Sequence, residues 1–145
     1  MDEKSLRSLC REHDIKMTPQ RLVIYQEILR SKDHPSTDRV YQRVRKLFPG
    51  VSFDTVNRTL LKFVEMGVIR VVEGFGGGRC FEPNMDDHHH LRCVGCGMII
   101  DFYDKACDSI KLPKDLPKNF RILSKKVVLD GWCEDCMSKR EVQKK

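Results

Sequence analysis

Apolar positions along the first two thirds of the chain recur at helical spacing. Between Ser5 and His13, Leu6, Leu9 and Cys10 stand among charged residues and predict a short amphipathic helix. Thr18-Pro19-Gln20-Arg21 offers a hydroxyl N-cap with proline at the first helical position. It predicts a second helix, ending near Ser31, whose apolar residues Leu22, Tyr25, Ile28 and Leu29 share one face. His34-Pro35 predicts an extended dipeptide in a loop, because the proline ring disfavours helical backbone for the residue before it. Ser36 is placed to cap a third helix with Val40, Val44 and Leu47 inward and Arg39, Arg43 and Lys46 opposite, stopped by Pro49-Gly50. Ser52 then caps a fourth, with Phe53, Val56, Leu60 and Phe63 inward and Asp54, Asn57, Arg58, Leu61 and Lys62 outward, closed by Gly67.

The period then changes from helical to strand-like. Val68 to Glu73 is rich in β-branched residues, Gly74-Phe75-Gly76-Gly77-Gly78 is a turn, and Arg79-Cys80-Phe81-Glu82 returns, which predicts a β-hairpin. Two helices joined by a tight turn and followed by a glycine-tipped hairpin form a winged helix, in which the fourth helix enters the DNA major groove. Asp54, Thr55, Asn57 and Arg58 lie on its exposed first turns, where base contacts are made. The expected class is α+β: a winged helix-turn-helix domain at 1–82 and a small α/β domain at 83–145. In the second domain, strand segments surround Cys93-Val94-Gly95-Cys96-Gly97, Cys107 to Leu112 reads as a helix, Arg121 to Leu129 as a strand, and Glu134 to Lys145 as a closing helix.

Composition narrows the functional classes. With 40% hydrophobic and 33% charged residues among 145, the chain is too apolar for a disordered tail and too polar for a membrane protein. It has no apolar run near the ~18 residues of a spanning helix and no basic-then-apolar leader, so a cytoplasmic location is expected. The 27 Lys and Arg outweigh 21 Asp and Glu, a formal +6 that favours a polyanionic partner or simply a solvated surface.

The seven cysteines carry the first chemistry. Cys93-x-x-Cys96 and Cys133-x-x-Cys136 supply four thiolates, the number a closed tetrahedral zinc site requires. The pairs are far apart in sequence, so zinc would staple a domain too small to hold itself by hydrophobic burial. Cys10, Cys80 and Cys107 read as small hydrophobes. A second constellation is Asp86-Asp87-His88-His89-His90. Strand alternation puts His88 and His90 on one face and His89 on the other. Glu82 and Asp101 offer single oxygens nearby, and His34 joins only if the two domains fold against each other. Three nitrogens and two oxygens suit Fe(II), Mn(II), Co(II) or Zn(II).

Thr18-Pro19-Gln20-Arg21, His34-Pro35-Ser36, the stretch Ser52 to Leu60, Asp87-His88-His89-His90, Cys93-x-x-Cys96-Gly97 and Cys133-x-x-Cys136 occur in that order. Together, from about residue 5 to 140, they resemble the ferric uptake regulator family, which includes iron-, peroxide- and zinc-sensing members. The resemblance implies a homodimeric, metal-responsive repressor with a C-terminal dimerisation domain, binding double-stranded DNA at an inverted-repeat operator. It also implies a regulatory Fe(II) or Mn(II) site on His34, Glu82, His88, His90 and Asp101, and a structural zinc on the four cysteines. Lys16 corresponds to a residue that reaches into the minor groove, and Thr55, Asn57 and Arg58 to the base-reading part of the recognition helix.

Three departures stand out. The family usually has tyrosine where this chain has Asn57, which exchanges a contact to thymine methyls for an amide able to pair with adenine. Some members hold a further metal with an acidic residue and a later histidine; Asp108 fits the former, but Lys125 stands in place of the latter, so His89 is read as non-ligating. Peroxide sensors, in which bound Fe(II) leads to oxidation of a ligating histidine, typically carry aspartate at this position, whereas iron sensors carry glutamate, as this chain does with Glu82. The surroundings of His88 and the segment Gly97 to Asp101 look closer to peroxide sensors, and the two clues conflict. The alternatives are a zinc-sensing member of the family, a zinc-stabilised adaptor that does not bind DNA, and a metalloenzyme built on His88, His90 and Glu82. No nucleophile or phosphate loop accompanies that set, so no enzyme activity and no small organic substrate are expected.

Overall fold

The structure, a computed structural model, describes residues 2–74, 76 and 78–143. It divides into two compact units, Met1–Met85 and Asp86–Lys145; the boundary read from the sequence lies at Glu82. No helix among the described residues is long and apolar enough to cross a membrane.

The N-terminal unit begins with α1 (Glu3–Glu12), α2 (Pro19–Arg30), α3 (Thr37–Leu47) and α4 (Phe53–Glu65), followed by the strands β1 (Arg70–Glu73) and β2 (Arg79–Glu82). Each helix starts on a side chain that accepts a backbone N–H otherwise left without a helical partner. Asp2, Thr18, Ser36 and Ser52 accept from Ser5, Arg21, Arg39 and Thr55 respectively. The core gathers Leu6 and Cys10 from α1, Ile24, Tyr25 and Ile28 from α2, Val40 and Val44 from α3, Val56, Leu60 and Phe63 from α4, and Phe81 from β2. Tyr25 and Phe63 meet edge to face with centroids 5.8 Å apart. The hairpin pairs β1 with β2 antiparallel, Arg70 opposite Glu82 and Val72 opposite Cys80. Phe75 and Gly77 of its tip lie outside the described residues.

Three apolar residues expected inside are exposed: Leu29, Leu47 and Phe53. The buried stripe of α2 keeps the expected Tyr25 and Ile28 and adds Ile24, which turns the stripe away from Leu29. Leu47 is the last residue of α3, one turn beyond the buried Val40 and Val44. Phe53, in the first turn of α4, lays its ring edge-on against Tyr41 of α3 at 5.7 Å and leaves its other side to solvent.

The C-terminal unit holds β3 (His89–Cys93), β4 (Ile99–Phe102), α5 (Lys105–Asp108), β5 (Val128–Gly131) and α6 (Glu134–Gln143). Its sheet has the order β4-β3-β5, antiparallel between β4 and β3 and parallel between β3 and β5. The helix expected at 107–112 is shorter and starts earlier, because Asp104 accepts the Cys107 N–H and caps it there. Residues 121–127 are not strand; pairing with β3 begins at Val128. Lys144 and Lys145 of the expected closing helix lie outside the described residues.

Register decides which residues share a face. Ile100, Leu91 and Leu129 are cross-strand neighbours and form an exposed apolar row across the three strands. On the opposite face His90 stands beside Asp101, since successive residues of a strand point to opposite sides.

Candidate metal centres

The four cysteines converge in the C-terminal unit. Cys93 ends β3, Cys96 follows after a tight turn, and Cys133 and Cys136 flank the start of α6. Their sulfurs all lie within 4.8 Å of one another, and Cys96 Sγ is 3.8 Å from Cys133 Sγ. Zinc–sulfur bonds of 2.3 Å in a tetrahedron put neighbouring sulfurs about 3.8 Å apart, so the set fits zinc. Backbone N–H groups point at one sulfur before any metal is considered: Cys133 N–H donates to Cys93 Sγ at 3.3 Å and Gly95 N–H at 3.4 Å. Led by the Cys133 amide, these contacts bring the Cys93 thiol down to about 6, whereas the neighbouring Cys133 side chain and burial push Cys136 up to about 12. Four thiols this close hold one thiolate readily and resist the rest, the electrostatic condition that a divalent cation relieves.

Two glycines permit this packing. A Cβ on Gly95 would lie 2.7 Å from the Trp132 ring and 2.9 Å from Cys136 Sγ, so the first cysteine turn leaves room for hydrogen only. Gly97 sits at φ 75°, in the left-handed region, where its N–H returns to Cys93 O at 2.9 Å. Trp132 is covered on one face by the Arg140 guanidinium, 4.0 Å from the ring centroid. The spacing of the cysteines announces none of the contacts among Gly95, Trp132 and Arg140.

The remaining candidate ligands form one set in each unit. In the N-terminal unit His34 and Glu82 are both buried, with His34 Nε2 and Glu82 Oε2 3.0 Å apart. Arg70 Nε lies 3.6 Å from the other carboxylate oxygen, Oε1. In the C-terminal unit His88 Nε2 and His90 Nε2 are 3.0 Å apart, and Asp101 Oδ1 is 3.4 Å from each. Ligand atoms 2.0–2.2 Å from one ion stand roughly 3.0 to 3.5 Å from each other, and both sets have that spacing. His88 Nδ1 donates to Asp86 O at 2.7 Å, which leaves Nε2 as the atom with a lone pair.

His34 departs from the extended conformation that the sequence predicts. It has φ 47°, in the left-handed region, although Pro35 follows it. Such a residue carries strain of about 1–3 kcal/mol, borne only where the surrounding structure imposes it.

His89 points the other way. Its Nδ1 accepts Val127 N–H at 3.2 Å, so its Nε2–H donates to Asp108 Oδ1 at 2.9 Å, and neither nitrogen keeps a lone pair for a metal. Lys125 donates to the carbonyls of Asp108 and Ile110. Burial pushes the Cys10 and Cys80 thiols up, away from reactive thiolate.

The helix face expected to read DNA carries its own cleft. Lys16 lies with Thr55 and Arg58 in a groove completed by Thr18, Arg21 and Lys62. Arg21 and Lys62 add two cations that the sequence reading did not single out. Arg58 is held by Asp54 one turn earlier, at 2.9 Å, and remains largely exposed. Asn57 turns toward α3, where its Oδ1 accepts from Thr37 Oγ at 3.3 Å.

Comparison with known proteins points in one direction. A family model described as the ferric uptake regulator family matches residues 12–130. The peroxide-responsive repressor PerR of Staphylococcus saprophyticus is 28% identical over 137 residues, 94% of this chain and 92% of that protein. PerR of Staphylococcus aureus strain Mu50 is 29% identical over 137 residues, with the same two coverages of 94% and 92%. Among solved structures, a zinc-bound manganese uptake regulator is 26% identical with a TM-score of 0.67, covering 88% of this chain and 98% of that one. The ferric uptake regulator Fur of Helicobacter pylori, described with three functional metal binding sites, has a TM-score of 0.76 at 24% identity, over 92% of this chain and 90% of its own, a likeness of fold.

Proposed function

The chain belongs to the ferric uptake regulator family, and on that premise we propose that it is a homodimeric, metal-dependent repressor acting on double-stranded DNA in the cytoplasm. The observation that carries the proposal is the pair of half-sets: the buried His34 and Glu82 in one unit, and the buried His88 and His90 with the partly exposed Asp101 in the other. Two donors and three donors are each too few to saturate a divalent ion, and five together suit Fe(II) or Mn(II). We propose that one regulatory ion is held by all five residues. When bound, it supplies a charge that His34, Glu82, His88, His90 and Asp101 can satisfy only in one arrangement of the short segment between Glu82 and His88. In a symmetric dimer that arrangement sets the spacing of the two copies of α4, which must match successive major grooves of an inverted repeat.

The other residues follow from this reading. Lys16 and Arg58 border the basic cleft and would contact DNA, with Thr55 beside them; Asn57, outside that cleft and held at Thr37 Oγ, would reach a base edge only by giving up that contact. The apolar row Ile100, Leu91 and Leu129, exposed in the single chain, supports burial against a second copy. Cys93, Cys96, Cys133 and Cys136 would hold a structural zinc that keeps the small unit folded.

The signal we propose is peroxide, supported by similarity to peroxide-responsive repressors over nearly the whole chain. A second reading, iron sensing, is favoured by Glu82, since the family's peroxide sensors typically carry aspartate there. Metal stoichiometry tests the common part: native mass measurement should find one zinc per chain that resists a chelator and one exchangeable Mn(II). His34→Ala and His90→Ala should each lose only the exchangeable ion.

A further inference from the structure

The segment that carries His34 is held from outside by α3. Arg43 Nη2 donates to Asp33 Oδ2 at 2.6 Å, and Arg43 Nη1 donates to Asp33 Oδ1 at 3.2 Å and to Ser31 Oγ at 3.0 Å. Ser31 Oγ donates in turn to Glu27 O at 2.7 Å at the end of α2. Arg39, one turn before Arg43, sends Nη1 to Asp33 Oδ2 at 3.4 Å. On the other side of His34, Phe81 N–H donates to Pro35 O at 3.0 Å, and Ser36 bridges to Cys80. The chain is therefore pinned at 31, 33, 35 and 36, and the residue in the middle is the one at φ 47°.

A two-pronged guanidinium–carboxylate contact fixes orientation as well as distance, unlike a single ammonium contact. In a basic unit, two arginines on one face of α3 are directed to the residue next to His34. We propose that Arg43 is a positioning residue for the regulatory metal: through Asp33 it holds the His34 backbone in the left-handed conformation, which places Nε2 at Glu82. The inference rests on the reading that His34 and Glu82 are metal ligands. Without the clamp the segment relaxes to the extended conformation favoured before proline, and His34 must be reordered each time a metal binds. Affinity then falls by the fraction of time the competent conformer is populated.

The test compares Mn(II) affinity, by titration calorimetry on full-length zinc-loaded dimer, for wild type, Arg43→Gln, Arg43→Lys, Asp33→Asn, the double variant Arg43→Gln/Asp33→Asn, and Arg45→Gln. Arg45→Gln removes the same charge from the same helix without touching Asp33 and should bind as wild type does. Arg43→Gln and Asp33→Asn should each weaken Mn(II) at least about tenfold, the double variant no more than either single one, and Arg43→Lys by an intermediate amount. Thermal midpoints of the metal-free proteins serve as the structural readout. Should Arg43→Gln melt early, Arg43→Lys and Asp33→Asn decide the matter. Wild-type affinity in both, or equal weakening in Arg45→Gln, overturns the proposal. If wild type binds no exchangeable Mn(II) that His34→Ala abolishes, the metal-site reading itself fails instead.

Discussion

His89 and Asp108 are joined through Nε2 and Oδ1 at 2.9 Å, with the Val127 amide on the other ring nitrogen. This fixes the tautomer and ties β3, α5 and the chain leading into β5 together in one contact. His89 is thus a brace of the C-terminal unit, while its neighbours in sequence face the opposite side. His89→Ala should cost about 1 kcal/mol of stability for each of the two hydrogen bonds lost, to the exposed Asp108 carboxylate and the half-buried Val127 amide. It should leave both the zinc content and the Mn(II) stoichiometry of the protein unchanged, as metal analysis checks. Loss of the exchangeable metal in this variant would make His89 a ligand after all.

The cysteine site has a steric as well as a chemical requirement. Cys96→Ser and Cys133→Ser should each lose tightly bound zinc and unfold or monomerise the C-terminal unit, because the metal's binding energy is folding energy in so small a unit. Gly95→Ala keeps every ligand but drives a methyl into Trp132 and Cys136 Sγ, so zinc should leave it faster on addition of a chelator. Zinc release from Gly95→Ala at the wild-type rate would contradict this close packing of Gly95 against Trp132.

DNA contacts divide by their salt dependence. Arg21→Ala and Lys62→Ala, which change the basic cleft beside α4, should weaken operator and unrelated duplex alike and lower the slope of log K against log salt by about one each. On the proposed base contact, Asn57→Tyr should instead shift sequence preference, by roughly 1–3 kcal/mol at one base pair; unchanged preference would leave Asn57 as the partner of Thr37 alone. Binding that shows no salt slope at all would favour the adaptor reading over a DNA-binding one.

Peroxide and iron sensing separate by mass spectrometry of Fe(II)-loaded protein after exposure to hydrogen peroxide. The peroxide reading predicts the mass of one added oxygen on the peptide holding His34 or His88, together with loss of DNA binding. Unmodified histidines under conditions that release DNA would support the iron reading that Glu82 favours.

The helix caps and the two faces of the histidine strand were legible because their signals are local. Thr18, Ser36 and Ser52 cap as their hydroxyls require, and β-alternation divides His88 and His90 from His89. What escaped the sequence depends on distant neighbours. Periodicity shows that α4 has an apolar face, but not that Phe53 meets Tyr41 edge-on and stays half-exposed. The rule for residues before proline predicts an extended His34, and Arg43, ten residues from Asp33 in the chain, belongs to the contacts that hold it otherwise. Nothing in the C-x-x-C spacing shows that Trp132 packs where a side chain on Gly95 would stand.

Metal switching is tested most directly by operator affinity with and without Mn(II), for wild type, His34→Ala and His90→Ala, measured at a single salt concentration. Linkage limits the effect to the difference in metal affinity between the DNA-competent and other arrangements, and the usual coupling of about 1–3 kcal/mol corresponds to roughly 5- to 150-fold. Wild type should gain affinity in that range when metal is added, and both variants should stay at the metal-free level while retaining zinc and the dimer. Equal binding by metal-free and metal-loaded wild type would contradict a metal-switched repressor.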